Sequence, residues 1–473
     1  MRSLVLGMSA VVAAAMPFVA CAEQKTVPAG TTVTVEGSDI SSWASADIDI
    51  GAGATLCFSE PTADATFTGK ITGSGHFVAK FASNSDRPKV FIMNGDANEF
   101  TGAFFYSNVY LHVKSPQAVG NVAPITIRVG YTGPTSLKSQ FFGSAAGQPD
   151  FVYQNALDVY VQINSSSLAV GERAVLAGSV LHRYGALSGP GKITGGVTTT
   201  VDNLYFTGSL HVDGPVTSEC SGGTKLSNNN SIFYLGGKTE GLTTFQPIGC
   251  YNPVYFDGDN LFGEDVELQM GVGSGGGTGG QSARIDLNGH SQTFKRSYFT
   301  AGSAVPAELK NIGGIDNSGS PAAVTFANND VGTWFYGRLD GHLSVSVAGS
   351  ALLGFVGPTN TLDGTITSDG CANVTLGYEW PNVRNIVSRN GGLVVFAASA
   401  NINPKATIEI DGSSKIKVST GLEMKVRRLR INGVDLPTGT YTRNSPAVNG
   451  HFDNTGNGTI QVLGVPGMIL SFK

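Results

Sequence analysis

The stretch ARIDLNGHSQTF, residues 283–294, carries the pattern that decides the fold of this chain. Ile285 and Leu287 alternate with polar neighbours, which is the period-2 pattern of a half-buried β-strand. Asn288 and Gly289 follow directly, and both residue types tolerate the positive φ that a sharp turn requires. The stretch therefore predicts a strand that points Ile285 and Leu287 inward and then turns a corner.

Within the same stretch, Asp286, Asn288 and His290 are close enough in sequence to suggest convergent site residues. Similar segments recur downstream, as RLDGHLSVS at 338–346 and TLDGTITSDG at 361–370. Asp and Asn side chains cap turns by hydrogen bonding to nearby backbone. We therefore interpret the three residues as the corner of a structural repeat rather than as a site of chemistry.

The composition favours strands joined by many turns. Of 473 residues only 14% are charged, against roughly 25% in soluble domains, and the 64 glycines are about twice the average share. So few charges argue against a disordered chain. The formal net charge is −5, so the sequence lacks the basic footprint of a nucleic-acid-binding protein. The basic run KVRRLR, 425–430, is interpreted as a solvated strand edge.

Short segments of alternating apolar and polar residues recur along the chain, bounded by Gly, Asn, Ser or Pro. They are VYLHVKS (109–115), DVYVQINS (158–165), LSVSVAGS (343–350), LVVFAAS (393–399) and KIKVST (415–420). The glycine-containing turns between such segments are loosely similar but follow no strict period. Degenerate strand-turn-strand repeats are typical of a solenoid.

A parallel β-helix explains this pattern physically. A rung of roughly 20–25 residues can bury its apolar face only against its neighbours. Rungs stacked about 4.8 Å apart pair the backbone groups above and below. We therefore predict an all-β, parallel β-helix with an interior of aliphatic and aromatic side chains, Phe above all. The alternative is a set of two or three β-sandwiches, which would show more regular hairpin turns.

Cysteine spacing makes the solenoid testable. Cys57 and Cys371 would lie about a dozen rungs apart, whereas a disulfide needs Cα atoms within about 7 Å. We therefore expect that they do not pair. Cys220 and Cys250 could meet on adjacent rungs, which leaves one bond or none. Because no cysteine belongs to a C-x-x-C pair or has a nearby His at ligand spacing, no zinc site is predicted.

The N-terminus predicts an export signal. Arg2 precedes an apolar run, and residues 20–22 (ACA) offer a cleavage site of the A-x-A type, so 1–22 is assigned as a signal peptide. Residues 18–21 (FVAC) also fit a bacterial lipobox, which would lipidate Cys21, as the alternative to soluble export. No second apolar run approaches the roughly 18 residues that span a bilayer, so no transmembrane span is expected in the mature chain.

Residues 283–326 resemble the autotransporter-associated β-strand repeat, a family of exported repeats. The matching pieces are Ile285-Asp286-Leu287-Asn288-Gly289, Gln292-Thr293, Asn317-Ser318-Gly319 and Ala323-Val324-Thr325. Segments 335–367 and 95–120 are similar to further copies of the repeat. Segment 429–464 resembles the closing part of large exported proteins of this type.

This resemblance implies a right-handed β-helix passenger, displayed on or released from a Gram-negative-type cell. A full autotransporter also carries a C-terminal membrane barrel with strands of about 10 alternating residues. Residues 458–473 contain one short strand candidate, so no such barrel is predicted. We divide the remaining chain into a β-solenoid of degenerate repeats at 23–428 and a C-terminal capping segment at 429–473.

Acidic residues cluster in FDGDNLFGEDVEL, 256–268, as Asp257, Asp259, Glu264, Asp265 and Glu267. Carboxylates that project together could hold Ca²⁺ or a sugar. Counted from Asp257 as an EF-hand loop, however, the stretch fails. Leu261, Phe262 and Leu268 occupy the positions that need an oxygen ligand, Gly and Glu. We therefore interpret the segment as a solvated loop between rungs.

Other polar residues are assigned structural roles. Asp47 and Asp49 alternate on a predicted strand, and Asp86, Arg87 and Lys89 form a charged loop. The sequence contains no G-x-S-x-G nucleophile elbow. Each histidine is expected to line a turn or the surface: His76, His112, His182, His211, His290, His342 and His451.

Two glycine-associated patterns are also interpreted as structural. His76, His290 and His342 each follow a glycine, which suggests one shared position in the repeat. The run GSGGGTGG, 273–280, lacks the G-K-[ST] ending of a P-loop. It is interpreted as a flexible loop, inserted as an excursion from one rung.

Together these observations favour an exported, non-enzymatic β-solenoid, a surface or extracellular protein with a structural or adhesin-like role that binds glycan or another protein. No catalytic, cofactor-binding or metal-binding residue is assigned, and no nucleic-acid partner is expected. The alternative is a polysaccharide-active β-helix enzyme, a lyase or hydrolase, because glycoside hydrolysis uses two carboxylates. For that alternative the candidate acids are Asp257, Asp259 and Asp265.

Overall fold

The computed structural model of this chain describes residues 22–81, 89–129, 139–161, 167–229, 233–248, 253–270, 283–299, 307–311, 320–357, 360–371 and 373–464. The protein is built from short strands, with 52% strand and 4% helix, and they stack into a β-solenoid of about 16 turns. The predicted parallel β-helix is confirmed. The β-sandwich alternative is wrong, because the strands of the stack pair in parallel across successive turns, and antiparallel strand pairs occur only beyond Arg428 in the described residues.

In the described ranges, five main sheets, named I to V, run along the solenoid. Sheet I consists of Thr32–Glu36, Thr55–Ser59, His76–Lys80, Ala103–Ser107, Ile125–Val129, Leu157–Val161, Val180–Tyr184, Val197–Thr199, Val216–Ser218 and Thr239–Glu240. Sheet II consists of Ala65–Phe67, Val90–Met93, Tyr110–Val113, Ser139–Phe141, Ser167–Val170, Ala186–Ser188, Asn203–Thr207, Thr224–Asn229, Leu242–Ile248, Glu267–Met270 and Arg296–Phe299.

The other three main sheets begin further along the chain. Sheet III consists of Phe151–Tyr153, Ala174–Leu176, Lys192–Ile193, His211–Val212, Phe233–Leu235, Val254–Phe256, Ala283–Asp286, Ala307–Asn311 and Arg338–Gly341. Sheet IV consists of Gln292–Phe294, Ala322–Phe326, Leu343–Ala348, Thr365–Asp369, Asn385–Arg389, Thr407–Ile410, Arg428–Ile431 and Val434–Asp435. Sheet V consists of Thr333–Phe335, Leu352–Phe355, Asn373–Leu376, Leu393–Phe396 and Lys415–Val418.

Smaller elements complete the described part of the chain. Three short sheets consist of Gln24–Val27, Asp47–Ile50 and Ile71–Gly73; of Glu379–Trp380 and Asn401–Ile402; and of Glu423–Val426, Gly439–Tyr441 and Thr459–Val462. An α-helix covers Ile40–Ala44, and 3-10 turns cover Gly37–Asp39, Pro116–Ala118 and Pro446–Val448.

Apart from Val434–Asp435, which pairs antiparallel with Arg428–Ile431, the strands of the main sheets pair in parallel with strands of the neighbouring turns. Equivalent residues of successive turns therefore form columns in which neighbours are about 4.8 Å apart. The sequence distance between residues paired in parallel in the main sheets ranges from 17, for Val180 and Val197, to 32, for Ile125 and Leu157. This range is wider than the predicted 20–25 residues, because loops at the corners absorb extra residues without disturbing the strands. The columns bring together residues that lie far apart in sequence.

The interior is filled by alternate strand residues, as predicted. Phe58, Phe67, Phe77 and Phe91 are buried and pack together, with ring centroids of the contacting pairs 4.9 to 6.2 Å apart. Burying each such side chain stabilises the fold by about 1.5–3 kcal/mol. The core is therefore a continuous apolar column along the solenoid axis.

A column of glycines marks one corner of the stack, at Gly178, Gly195, Gly214, Gly237 and Gly258. The turns approach so closely there that a Cβ on Gly237 would lie 1.7 Å from the Gly214 carbonyl oxygen. Only glycine fits this approach. The recurrent glycines of the sequence are thus required by stacking as well as by turn geometry.

All five segments predicted from alternation form strands: Tyr110–Val113, Leu157–Val161, Leu343–Ala348, Leu393–Phe396 and Lys415–Val418. Cys57 lies in the second strand of sheet I and Cys371 follows a strand of sheet IV, and both are free thiols. The expectation that they do not pair is confirmed. Cys220 is also a free thiol, and Cys250 lies outside the described residues.

The chain folds back on itself at the C-terminal end of the stack. Thr459–Val462 pairs in parallel with Glu423–Val426 and antiparallel with Gly439–Tyr441. This arrangement places a returning strand against the last turns of the solenoid. The boundary at 428/429 stays a prediction, and residues 1–21 and 465–473 lie outside the described ranges.

Candidate functional site

One column on the outside of sheet III stacks an imidazole on two phenol rings. The register aligns His211 with Tyr234, and Tyr234 with Tyr255. The ring centroids of His211 and Tyr234 are 3.9 Å apart, and those of Tyr234 and Tyr255 are 5.2 Å apart. This stacking orients the imidazole plane. Burial lowers the pKa of His211, although the nearby Asp213 carboxylate acts in the opposite direction.

The residues that follow these strands, Asp213, Gly236 and Asp257, occupy equivalent positions on three successive turns. Standing parallel, the two aspartates would be about 9.6 Å apart, twice the strand spacing. Instead, ligand atoms of His211, Asp213 and Asp257 all lie within 4.8 Å of one another. The carboxylates therefore converge over the glycine between them. We call these three residues the His-Asp-Asp cluster.

Asn288 braces the His-Asp-Asp cluster from the next turn. Its Nδ2 donates to Asp257 Oδ1 at 3.2 Å and to the Phe256 carbonyl oxygen at 3.3 Å. Burial raises the pKa of Asp257; His211 and the Asn288 hydrogen bond lower it, whereas the Asp213 carboxylate raises it. The surroundings of Asp257 thus disfavour its charge, and a proton or a cation would relieve that cost.

Of the three acids that the sequence singled out for an enzyme, Asp257 alone joins this cluster. Asp259 Oδ1 accepts a hydrogen bond from the Ser291 backbone N–H at 2.7 Å. Asp265 is exposed, with its Oδ1 3.8 Å from Lys295 Nζ. Both are therefore held by neighbouring polar groups on the loop surface, as predicted for a solvated loop.

Two further acids of that segment differ from each other. Glu264 is exposed, in agreement with a solvated loop. Glu267 is buried at the start of a sheet II strand, and its Oε2 lies 2.5 Å from Arg296 Nε. Arg296 also reaches Asp330, with Nη1 2.9 Å from its Oδ1. The prediction that Glu267 belongs to a solvated loop is wrong, because this ion pair links it to the next turn.

The corner that follows Ile285 adopts the predicted turn. Ile285 and Leu287 are buried, and Asn288 and Gly289 have φ of 51° and 82°. Asp286 Oδ1 accepts a hydrogen bond from the Asn288 backbone N–H at 3.1 Å, which closes an Asx-turn. The interpretation as a structural corner is confirmed. Because the Asn288 side chain also braces the His-Asp-Asp cluster, the corner serves the site as well.

A second candidate surface is a groove on the outer face of sheet I, with a volume of about 510 Å³. It is lined by Ser107, Asn108, Arg128, Tyr160 and Arg183. The register aligns Ser107 with Arg128 and Arg128 with Tyr160, so one column supplies hydroxyl, cationic and aromatic groups. We call this surface the Tyr-Arg groove.

A β-bulge shapes one side of the Tyr-Arg groove. Arg183 is the extra residue of the bulge, and its Nε donates to Asp158 Oδ1 at 2.7 Å. The bulge also aligns Tyr184 with Tyr160, and the two exposed rings stack with centroids 5.5 Å apart. An exposed aromatic pair beside two guanidinium groups offers both an apolar face and directed hydrogen-bond donors.

The prediction that each histidine lines a turn or the surface is wrong for His182, which lies within the sheet I strand Val180–Tyr184 and points into the core. It is fully buried, with Nδ1 3.0 Å from Thr199 Oγ1 and Nε2 3.0 Å from the Gly185 carbonyl oxygen. Because a carbonyl oxygen can only accept, Nε2 carries the proton and Nδ1 accepts from the hydroxyl. Burial lowers the pKa of His182.

The shared position predicted for His76, His290 and His342 is wrong. His76 begins a strand of sheet I, whereas His290 lies two residues before one sheet IV strand and His342 directly precedes another. Their partners differ too, since His342 Nδ1 lies 2.9 Å from Asp363 Oδ2 and His290 Nδ1 lies 3.7 Å from Asp259 Oδ1. Glycine precedes each of them because it suits several different corners.

The remaining polar patterns connect neighbouring strands or lie outside the described ranges. Asp47 accepts a hydrogen bond from the Lys70 backbone N–H at 2.8 Å, and in the KVRRLR run Arg430 Nε lies 3.0 Å from Asp435 Oδ1. The predictions for Asp86 and Arg87, and for GSGGGTGG at 273–280, concern residues that the structure does not describe.

His211 and Asp213 are the site residues that sequence reasoning missed. Their signal is a weak one, HVDG at 211–214 and YFDG at 255–258, separated by YLGG at 234–237. His211 and Tyr234 are 23 residues apart, and Tyr234 and Tyr255 are 21 residues apart. Without the strand register, nothing shows that the two aspartates are neighbours.

Among the described residues, no helix combines the length and the apolar character needed to cross a membrane. Comparison of the chain with protein families, with curated proteins and with solved structures finds no match.

Proposed function

We propose that this chain is an exported, non-enzymatic β-solenoid that binds glycan along its side, in a surface or extracellular role on a Gram-negative-type bacterium. The Tyr-Arg groove is the observation that carries the binding part of the proposal. The predicted signal peptide at 1–22 and the resemblance to passenger-type repeats support export. An adhesin-like role fits a solenoid, because stacked turns expose long lateral surfaces.

The chemistry of the Tyr-Arg groove suits a sugar better than a flat protein surface. One face of a pyranose ring presents C–H groups, which pack on the exposed rings of Tyr160 and Tyr184. Around the ring edge, sugar hydroxyls or a carboxylate accept hydrogen bonds from guanidinium groups such as that of Arg128. The groove therefore favours an acidic or highly hydroxylated glycan.

Binding of the purified chain to a panel of neutral and acidic oligosaccharides, measured by calorimetry, tests the proposal. The double variant Tyr160→Ala/Tyr184→Ala removes both stacking surfaces and should weaken binding roughly 10- to 100-fold. Tyr336→Ala is the matched control, because Tyr336 is an exposed tyrosine outside the groove. The glycan affinity of the Tyr336→Ala variant should equal that of the wild-type chain.

Equal glycan affinity for the double variant and the control would exclude the Tyr-Arg groove as the binding surface. If the chain binds a protein ligand and none of the glycans, the partner of this protein is a protein and not a glycan. Export is tested separately by mass spectrometry of the mature N-terminus. A chain beginning at Glu23 indicates soluble export and a lipidated Cys21 indicates an anchored lipoprotein, whereas an intact N-terminus inside the cell would contradict export.

The alternative function, a polysaccharide-active enzyme, has one observation in its favour. Asp213 and Asp257 converge to within 4.8 Å, close to the separation of about 5 Å between the carboxyl groups of retaining glycosidases. Reproducible cleavage of a glycan chain that is lost in Asp257→Asn but kept in Asp259→Asn would favour the enzyme. Glycan binding without cleavage supports the non-enzymatic function.

A further inference from the structure

We infer that the His-Asp-Asp cluster of His211, Asp213 and Asp257 is a binding site for one divalent first-row transition cation. This inference is independent of glycan binding, because the cluster lies on sheet III and the Tyr-Arg groove lies on sheet I. It also differs from the expectation that no metal ligand is present. The ligands come from strands 44 residues apart in sequence, so no local spacing reveals them.

The geometry requires little adjustment to hold an ion. Ligand atoms about 2.1 Å from one cation lie roughly 3–4 Å from one another, and the three groups already lie within 4.8 Å. Asp213 is exposed, so rotation of its side chain can close the remaining distance of about 1 Å. Three protein ligands leave further coordination positions open to water or to a substrate group.

Gly236 leaves the space that the ion would occupy. A Cβ at this position would lie 3.4 Å from both Asp213 Oδ1 and Asp257 Cβ, so it would stand between the two acidic side chains. The contact is an ordinary van der Waals distance, which means that alanine fits here without disturbing the backbone. The gap between the carboxylates is thus a property of this one glycine.

Two neighbouring interactions hold the ligands in place. Stacking of His211 on Tyr234 orients the imidazole, and the Asn288 hydrogen bond orients the Asp257 carboxylate. Oriented ligands of this kind are typical of metal sites. Asn288 is 5% exposed, and within the described part of the chain its Oδ1 accepts no hydrogen bond. Since the same amide touches Asp257, a metal-bound water could satisfy this buried oxygen.

The ligand set selects the class of cation. Ca²⁺ and Mg²⁺ prefer sites built from oxygen alone, whereas one imidazole with two carboxylates suits Zn²⁺ and other first-row divalent ions. The ion would join turns that carry His211 and Asp257, two turns apart along sheet III. Binding should therefore also raise the thermal midpoint of unfolding.

Titration of the EDTA-treated, desalted full chain with ZnCl₂, MnCl₂, CaCl₂ and MgCl₂ tests the inference by calorimetry, with bound metal counted by mass spectrometry. We expect one Zn²⁺ per chain, bound more tightly than Ca²⁺ or Mg²⁺, and a higher thermal midpoint with Zn²⁺. Asp213→Asn and Asp257→Asn should each weaken Zn²⁺ binding by at least about tenfold. Asp265→Asn removes the same charge outside the cluster and should leave binding unchanged.

Gly236→Ala separates a metal site from a purely structural role. This variant should keep the metal-free thermal midpoint, because its Cβ fits, but it should weaken Zn²⁺ binding by at least about tenfold because the Cβ fills the gap. Absence of stoichiometric Zn²⁺ binding would overturn the inference. Equal Zn²⁺ affinity in Gly236→Ala, Asp257→Asn and Asp265→Asn, or tighter binding of Ca²⁺, would also overturn it.

Discussion

Replacing Gly237 with alanine tests how tightly successive turns of the solenoid stack. The φ of Gly237 lies outside the left-handed region, so alanine meets no backbone strain at this position. The added Cβ would instead lie 1.7 Å from the Gly214 carbonyl oxygen and 2.4 Å from its carbon. Both are backbone atoms, which no rotation of a side chain can move away. The two turns must separate.

The loss of stability in Gly237→Ala follows from how far the two turns must move apart. Relieving the contact to 3.0 Å or more takes a shift of ~1.3 Å, which would stretch the neighbouring inter-turn hydrogen bonds beyond useful length. These include Gly237 N–H to the Val212 carbonyl oxygen, 3.1 Å, and Val216 N–H to the Lys238 carbonyl oxygen, 2.9 Å. Losing two bonds costs about 1–3 kcal/mol, and residual overpacking costs a similar amount. We expect destabilisation of about 2–6 kcal/mol.

Gly263→Ala is the matched control. It is the same chemical change in the same half of the chain, but an added Cβ at Gly263 has no atom within 4 Å and the φ is not positive. Alanine there should change the free energy of unfolding by less than about 1 kcal/mol, in the stabilising direction, because it restricts the unfolded chain.

Urea unfolding followed by circular dichroism, with hydrogen exchange of the strands of sheet III, measures both variants. Gly237→Ala should unfold at lower urea and exchange faster around Phe233–Leu235, because each turn depends on its neighbours. If Gly237→Ala and Gly263→Ala unfold at the same urea concentration, the close approach of turns at the glycine column is refuted.

Three further predictions concern buried side chains. Phe77→Ala should lower the free energy of unfolding by about 3–5 kcal/mol, measured by urea unfolding, whereas Phe105→Ala, which is 37% exposed, should lower it by about 1 kcal/mol or less. Burial lowers the pKa of His182, so its contribution to stability is present above about pH 6.5 and is lost as the pH falls below that value. Stability measured across this range should fall less steeply in His182→Gln, and an identical slope would contradict the buried neutral imidazole. Burial raises the pKa of the Cys371 thiol, so iodoacetamide should alkylate Cys220 before Cys371 in the folded chain, as read by peptide mapping; faster alkylation of Cys371 would contradict its burial.

Local patterns were sufficient to predict the strands and corners. The alternation of Ile285 and Leu287, followed by Asn288 and Gly289, predicts a strand and a turn with positive φ, and the structure forms both. This success has a simple cause. Side-chain alternation and the φ preferences of Asn and Gly act within a few residues, so no information from other turns is needed.

Contacts between turns were harder to predict. Glu267 was assigned to a solvated loop, but the next turn brings Arg296 to 2.5 Å from it. The shared position proposed for His76 and His290 failed because a Gly-His pair fits corners on different sheets. In both cases the local residues were interpreted correctly as strand or turn, and the error lay in their neighbours along the axis.

The His-Asp-Asp cluster shows which features local sequence patterns specify and which depend on the assembled fold. Alternating residues and turn-forming glycines specify a stacked all-β chain, because burial of one face and the geometry of each corner are local requirements. The meeting of Asp213 with Asp257 depends on the number of residues in two intervening turns, and loops of varied length set that number. Only packing of the completed turns selects the register, so only the assembled solenoid places His211 and both carboxylates around Gly236.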